Sequence, residues 1–130
     1  MSSNEYVIET TDLSKSYGPH MALENLNLKV KKGATGLLGP NGAGKSTFLK
    51  TILGLIQATS GDGTVLGHDI RTEGAAIRSR IGYMPEYDAL NPDMEAIYQV
   101  KYSGELLGMN PVIAMARAHE VLQYVGLGEQ

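Results

Sequence analysis

The sequence predicts an α/β fold with a β-rich amino-terminal part, a central strand–loop–helix unit and a helical carboxy-terminal part. Three observations carry that prediction. Gly39-Pro40-Asn41-Gly42-Ala43-Gly44-Lys45-Ser46-Thr47 fits G-x-x-x-x-G-K-[ST], a glycine-rich loop that opens a helix. The residues before it alternate in polarity as strands do, and those after it repeat at helical spacing. Near residue 90 the pattern changes, and two proline-started helical stretches follow.

In chain order, Tyr6-Val7-Ile8 starts a strand. Leu23 to Val30 carries apolar residues at 23, 26, 28 and 30, and its last five residues alternate as a half-buried strand should. Tyr17-Gly18-Pro19-His20 is a turn between them, and Lys31-Lys32-Gly33 is a second. Thr35-Gly36-Leu37-Leu38 is short and mostly apolar, which predicts a buried strand leading into the loop. Ser46 to Gln57 is predicted as a helix, with Leu49, Ile52, Leu53 and Ile56 on one face. The composition of Thr59-Ser60-Gly61-Asp62-Gly63 predicts a loop. Thr64 to Gly67 reads as a strand, Ile77 to Arg80 as a helical turn, and Ile81 to Pro85 as a strand stopped by its proline.

Asn91-Pro92 and Asn110-Pro111 each set a capping residue before a proline at the first helical position. The first helix is expected to bury Met94, Ile97, Tyr98, Tyr102 and Leu106. The second aligns Ala114, Ala118, Val121, Leu122 and Val125 and ends near Gly126. Two subregions follow: residues 1–90, β-rich and carrying the loop, and residues 91–130, the start of a helical part.

The loop has a mechanical rationale. A chain of phosphates must be met by several donors at once, and successive N–H groups converge only where the backbone curls tightly. The helix that follows adds free amides and the positive end of its dipole. Lys45 is placed to reach the β- and γ-phosphates, and the Ser46 hydroxyl to ligate Mg²⁺.

Bulk properties narrow the class. At 130 residues, 42% hydrophobic and 19% charged, the chain can build one real core and is not disordered. A net charge of −3 argues against a nucleic-acid surface. The absence of cysteine excludes a disulfide framework and a thiolate metal site. No apolar run approaches membrane-spanning length, and the first residues lack the basic and apolar regions of a signal peptide.

Leu13-Ser14-Lys15-Ser16-Tyr17-Gly18, Ala22-Leu23-Glu24-Asn25-Leu26 and Gly36 to Thr47 together resemble the nucleotide-binding domain of ABC transporters. The similarity continues through Gly61, Gly63, Val65, Gly67 and Asp69 to Ile81-Gly82-Tyr83-Met84-Pro85-Glu86. The resemblance implies a P-loop NTPase fold of the ABC ATPase type, incomplete, with a RecA-like unit around the loop. It implies that Tyr17 stacks on adenine, and that Gly39, Pro40, Asn41, Gly42, Ala43, Gly44, Lys45, Ser46 and Thr47 form Walker A. It places Glu86 at the Q-loop, where the family usually has glutamine. A glutamate there offers only acceptors when ionised, so it is a candidate for holding Mg²⁺ beside Ser46 and for a catalytic role beside Lys45.

The resemblance further implies ATP and Mg²⁺ as cofactors and a transmembrane permease as partner. It implies pairing with a second nucleotide-binding domain, no nucleic acid, and a place at the cytoplasmic face of a membrane. The family's signature segment, Walker B, D-loop and switch histidine are not found. Tyr102-Ser103-Gly104-Glu105-Leu106 lacks the second signature glycine, and Val65 to Ile70 has Ile70 where a catalytic glutamate belongs. His20, His68 and His119 show no ligand spacing. The chain is therefore expected to be a fragment that binds ATP but hydrolyses it poorly, from an ATPase whose full length drives transport. Two alternatives are a non-transport ABC ATPase acting in DNA repair or translation, and a non-catalytic nucleotide-sensing module. A GTPase needs D-x-x-G and N-K-x-D, and neither occurs here.

Overall fold

The computed structural model describes residues 5–86 and 90–128; Met1 to Asn4, read above as free of a signal peptide, and Gln130 lie outside them. The chain divides into two compact units, Met1–Gly82 and Tyr83–Gln130.

The first unit is built on a long hairpin. Strand β1 (Tyr6–Tyr17) pairs antiparallel with β2 (His20–Lys31) through the two-residue turn Gly18-Pro19. Proline cannot take a positive φ, so Gly18 does, at 58°, as the first central residue of a type II′ turn must. β1 runs well past the three residues expected of it, because its other edge is also paired. Strand β3 (Ser60–Val65) lies antiparallel to it, β4 (His68–Asp69) follows, and the sheet order is β2-β1-β3-β4. The predicted loop over 59–63 is thus mostly strand. Its glycines suit a bulge: Gly61 has φ 77°, and a Cβ on it would strike the carbonyl of Asp12, itself at φ 48° where the register shifts.

Polar groups, Thr10 and Ser14 buried and Asp12 and Asn27 exposed, hold the hairpin's irregular middle. The Thr10 hydroxyl donates to the Leu26 carbonyl (2.9 Å) and accepts from the Leu28 amide (3.1 Å). The Ser14 hydroxyl accepts from the Asn25 amide (2.9 Å), and Asn27 Nδ2 donates to Asp12 Oδ1 (2.9 Å). Beyond that, β2 alternates as expected, Leu26, Leu28 and Val30 inward and Asn27 and Lys29 outward.

Helix α1 (Lys45–Ile52) contributes Phe48 and Ile52 to a core that also takes in Leu13, Leu23, Val65 and Ile77. It ends five residues before the predicted Gln57. The Leu55 amide donates to the Lys50 carbonyl (2.9 Å) and the Gly54 amide to the Thr51 carbonyl (3.0 Å), a Schellman closure that the 3.6-residue periodicity does not reveal. The predicted helical turn at 77–80 is α2 (Gly74–Arg78), shifted three residues earlier, with Ile77 fully buried.

Two predicted strands are corrected. Thr35 to Leu38 has no ladder partner among the described residues and lies fully in the exposed class, Leu38 at 95%. Ile81 to Pro85 is likewise without strand structure, and Met84 is exposed. An apolar run becomes a strand only where a neighbour completes its hydrogen bonds, and no described strand pairs with either run.

In the second unit, α3 (Ala96–Leu106) pairs with α4 (Pro111–Tyr124). Asn110 caps α4, its Oδ1 accepting from the Val112 amide at 2.9 Å with Pro111 next in line. Asn91 instead closes a tight turn on the Asp93 amide (3.0 Å), and α3 starts only at Ala96. Ala114, Ala118 and Leu122 are buried, but Val121 and Val125 are exposed. The predicted burial of Tyr98, Tyr102 and Leu106 does not occur; all three are exposed, and no residue of α3 is buried. The seam is set by small residues: a Cβ on Gly104 would lie 3.3 Å from that of Ala114, so large side chains fall outside it.

Candidate functional site

The segment from Gly39 to Thr47 is a tight, open curl. Gly42 and Gly44 take φ 83° and 88°, the left-handed region that L-residues avoid, and the Ala43 amide closes a turn on the Pro40 carbonyl at 3.2 Å. Helix α1 starts directly behind it. Its N-cap is Gly44, which brings no side chain to cap the helix, so the first-turn amides stay uncovered. Among the described residues, the amides of Gly42, Gly44, Lys45, Ser46 and Thr47 have no hydrogen-bond partner. These donors and the positive end of the helix dipole lie together at one exposed stretch of chain, the arrangement that favours a multiply charged anion.

Lys45 folds back over this curl. Its Nζ donates to the carbonyls of Gly39 (2.5 Å) and Pro40 (2.7 Å). The ammonium therefore already sits inside the loop, balanced by two carbonyl dipoles. The Ser46 side chain is exposed and makes no hydrogen bond among the described residues, so its hydroxyl is free to serve a cation.

The hairpin tip lies against the loop. A Cβ on Gly44 would collide with the Ala22 carbonyl and stand 3.0 Å from Leu23 Cδ2. Ala22 is two residues from His20, the register partner of Tyr17. The strand end carrying Tyr17 is thus seated beside the phosphate loop by backbone packing, and the Tyr17 ring is 49% exposed. Glu86 belongs to the second unit and is exposed. So the first unit gathers Gly39 to Thr47 and the strand end of Tyr17, while Glu86 stands outside it.

Residue spacing gives Lys15 no site role, yet its Nζ lies 5.1 Å from the centroid of the Tyr17 ring. The sequence signal for that contact is the two-residue step between them along β1.

An α/β unit with a curled glycine loop, an uncapped helix start and a lysine folded into the loop defines a nucleotide-binding domain of the P-loop NTPase fold. The profile of the family described as ABC transporter matches residues 23–130, and the chain belongs to that family. It is 39% identical over 125 residues to the linearmycin resistance ATP-binding protein of Bacillus subtilis, covering 95% of this chain and 40% of that protein. It is 34% identical over 122 residues to Nod factor export ATP-binding protein I of Cupriavidus metallidurans, covering 93% and 40%. A solved ATP-binding cassette, a dimer in a post-hydrolysis state with ADP and Pi, superposes with a TM-score of 0.74 at 26% identity, covering 89% of this chain and 56% of that one. The chain thus spans about 40% of the length of these sequence relatives.

Proposed function

We propose that this chain is the ATP-binding part of an ABC transporter subunit that couples ATP binding and hydrolysis to transport by a membrane partner. The observation that carries the proposal is the loop itself: five unpartnered amides and one ammonium around an exposed curl, in a chain of this family. Lys45 leaves the carbonyls of Gly39 and Pro40 for the β- and γ-phosphates, exchanging two neutral acceptors for charged ones. The amides of Gly42 and of Gly44 to Thr47 hold the phosphate chain. Tyr17 stacks on the adenine ring. Ser46 holds Mg²⁺, and Glu86, at the Q-loop position, is the carboxylate we assign to the same ion. Bound Mg²⁺ neutralises charge on the phosphate oxygens.

The partners we propose are a transmembrane permease and a second nucleotide-binding domain, the latter supported by the dimeric state named for the solved cassette. No helix among the described residues is long and apolar enough to cross a membrane, which fits work from the cytoplasmic face beside such a permease. The direction we propose is export, as the name of the Nod factor relative suggests for that protein.

The test is Lys45→Ala, read by calorimetric titration with ATP and Mg²⁺. Removing a donor to a charged group costs about 1.5–3 kcal/mol, so affinity should fall about 10- to 100-fold. The thermal midpoint should barely move, since Lys45 bonds only to exposed loop carbonyls. Unchanged affinity would remove the phosphate-binding role.

A further inference from the structure

We infer that Lys15 is a positioning residue for the nucleotide base: it covers one face of the Tyr17 ring and leaves the other as the stacking surface. This rests on the reading of Tyr17 as the base platform.

Three observations support it. Lys15 Nζ stands 5.1 Å from the ring centroid, within the range where a cation is held by the ring quadrupole. The two residues stand two positions apart at the end of β1. The backbone between them is tied down at Ser16, whose amide donates to Thr59 Oγ1 at 3.0 Å, and Lys15 and Tyr17 both pair with β2, at Leu23 and His20, across a register shift. The contact is therefore a fixed feature of the strand end.

Its consequences are chemical. An exposed tyrosine samples several rotamers and loses that freedom when a base stacks on it. An ammonium resting on one face holds the ring and blocks a second stacking mode, so the base meets a single prepared surface. The interaction reads the π-face of the base rather than its hydrogen-bonding edge, so ATP and GTP should be affected alike.

The experiment uses the 130-residue chain and two probes, MgATP and inorganic tripolyphosphate with Mg²⁺, each titrated by calorimetry. Lys15→Met keeps the stem and removes the charge; it should weaken MgATP by about two- to fivefold and leave tripolyphosphate unchanged. Lys15→Arg should restore ATP affinity, because a guanidinium also stacks on the ring. In a Tyr17→Ala background, Lys15→Met should have no further effect. Equal weakening of both probes would make Lys15 a phosphate contact and overturn the inference. So would an unchanged ATP affinity in Lys15→Met while Tyr17→Ala weakens ATP, which leaves the platform standing without the lysine. If Tyr17→Ala itself leaves ATP unchanged, the platform reading falls and takes this inference with it. If the unmodified chain binds neither probe, the phosphate-loop reading fails and this inference is overturned with it.

Discussion

Lys45 illustrates how a single side chain sets the character of a site. Its ammonium rests on the carbonyls of Gly39 and Pro40, so the loop stays curled around a positive charge. A second small constellation sits at the β4 end. Glu73 accepts from His68 Nδ1 (2.9 Å) and from the Asp69 amide (2.8 Å); the His68 contact, then that amide, hold its carboxyl below the ordinary range. Asp69 is lowered chiefly by the amide of Arg71 and then that of Thr72. A folded-state pKa below the unfolded one means stability that is present above the unfolded value and lost as pH falls through the folded one. NMR titration should find both groups below their ordinary values, and His68→Ala should raise Glu73 toward normal while leaving Asp69 low. A Glu73 that does not respond would sever the proposed pairing. The loop residues were legible in the sequence because their spacing is local. The His68–Glu73 pair was not, since the turn that joins them has no sequence signature.

At the level of elements, what decides the architecture is which strand edges are met. β3 is written in glycine, serine and aspartate, and composition alone makes it a loop; the free edge of β1 makes it a strand. Gly61 is the hinge of that pairing. Gly61→Ala would place a methyl on the Asp12 backbone and force a left-handed φ on an L-residue, which should cost about 2–4 kcal/mol. Urea denaturation would check it, and a loss below about 0.5 kcal/mol would show that the bulge relaxes freely. The β2 alternation was readable because it depends on one face being buried. The Thr35–Leu38 strand and the inward face of α3 were misread for the reverse reason: apolar periodicity records a demand for neighbours, and the described residues do not supply them.

Over the whole molecule, that unmet demand becomes a surface property. Leu38, Met84 and Tyr124 are each more than nine-tenths exposed, and Leu106, Leu107 and Val112 more than two-thirds. Apolar area on this scale favours association, so light scattering should show the apparent mass of the chain rising with concentration. A monomer at all concentrations with one cooperative unfolding transition would contradict this. The α/β class and the phosphate loop were both legible in the sequence, because each follows from local pattern. The sequence places its change of character near residue 90, and the compact units of the folded chain divide between Gly82 and Tyr83.

The absent Cβ of Gly44 has one more effect. With the Ala22 carbonyl filling that space, the tip of the hairpin and the start of α1 share a single wall. A side chain at residue 44 would force the two apart. The span from the aromatic ring to the amide nest is then a ruler cut to one length, and a molecule too short or too long between its flat and charged ends would fail to touch both marks.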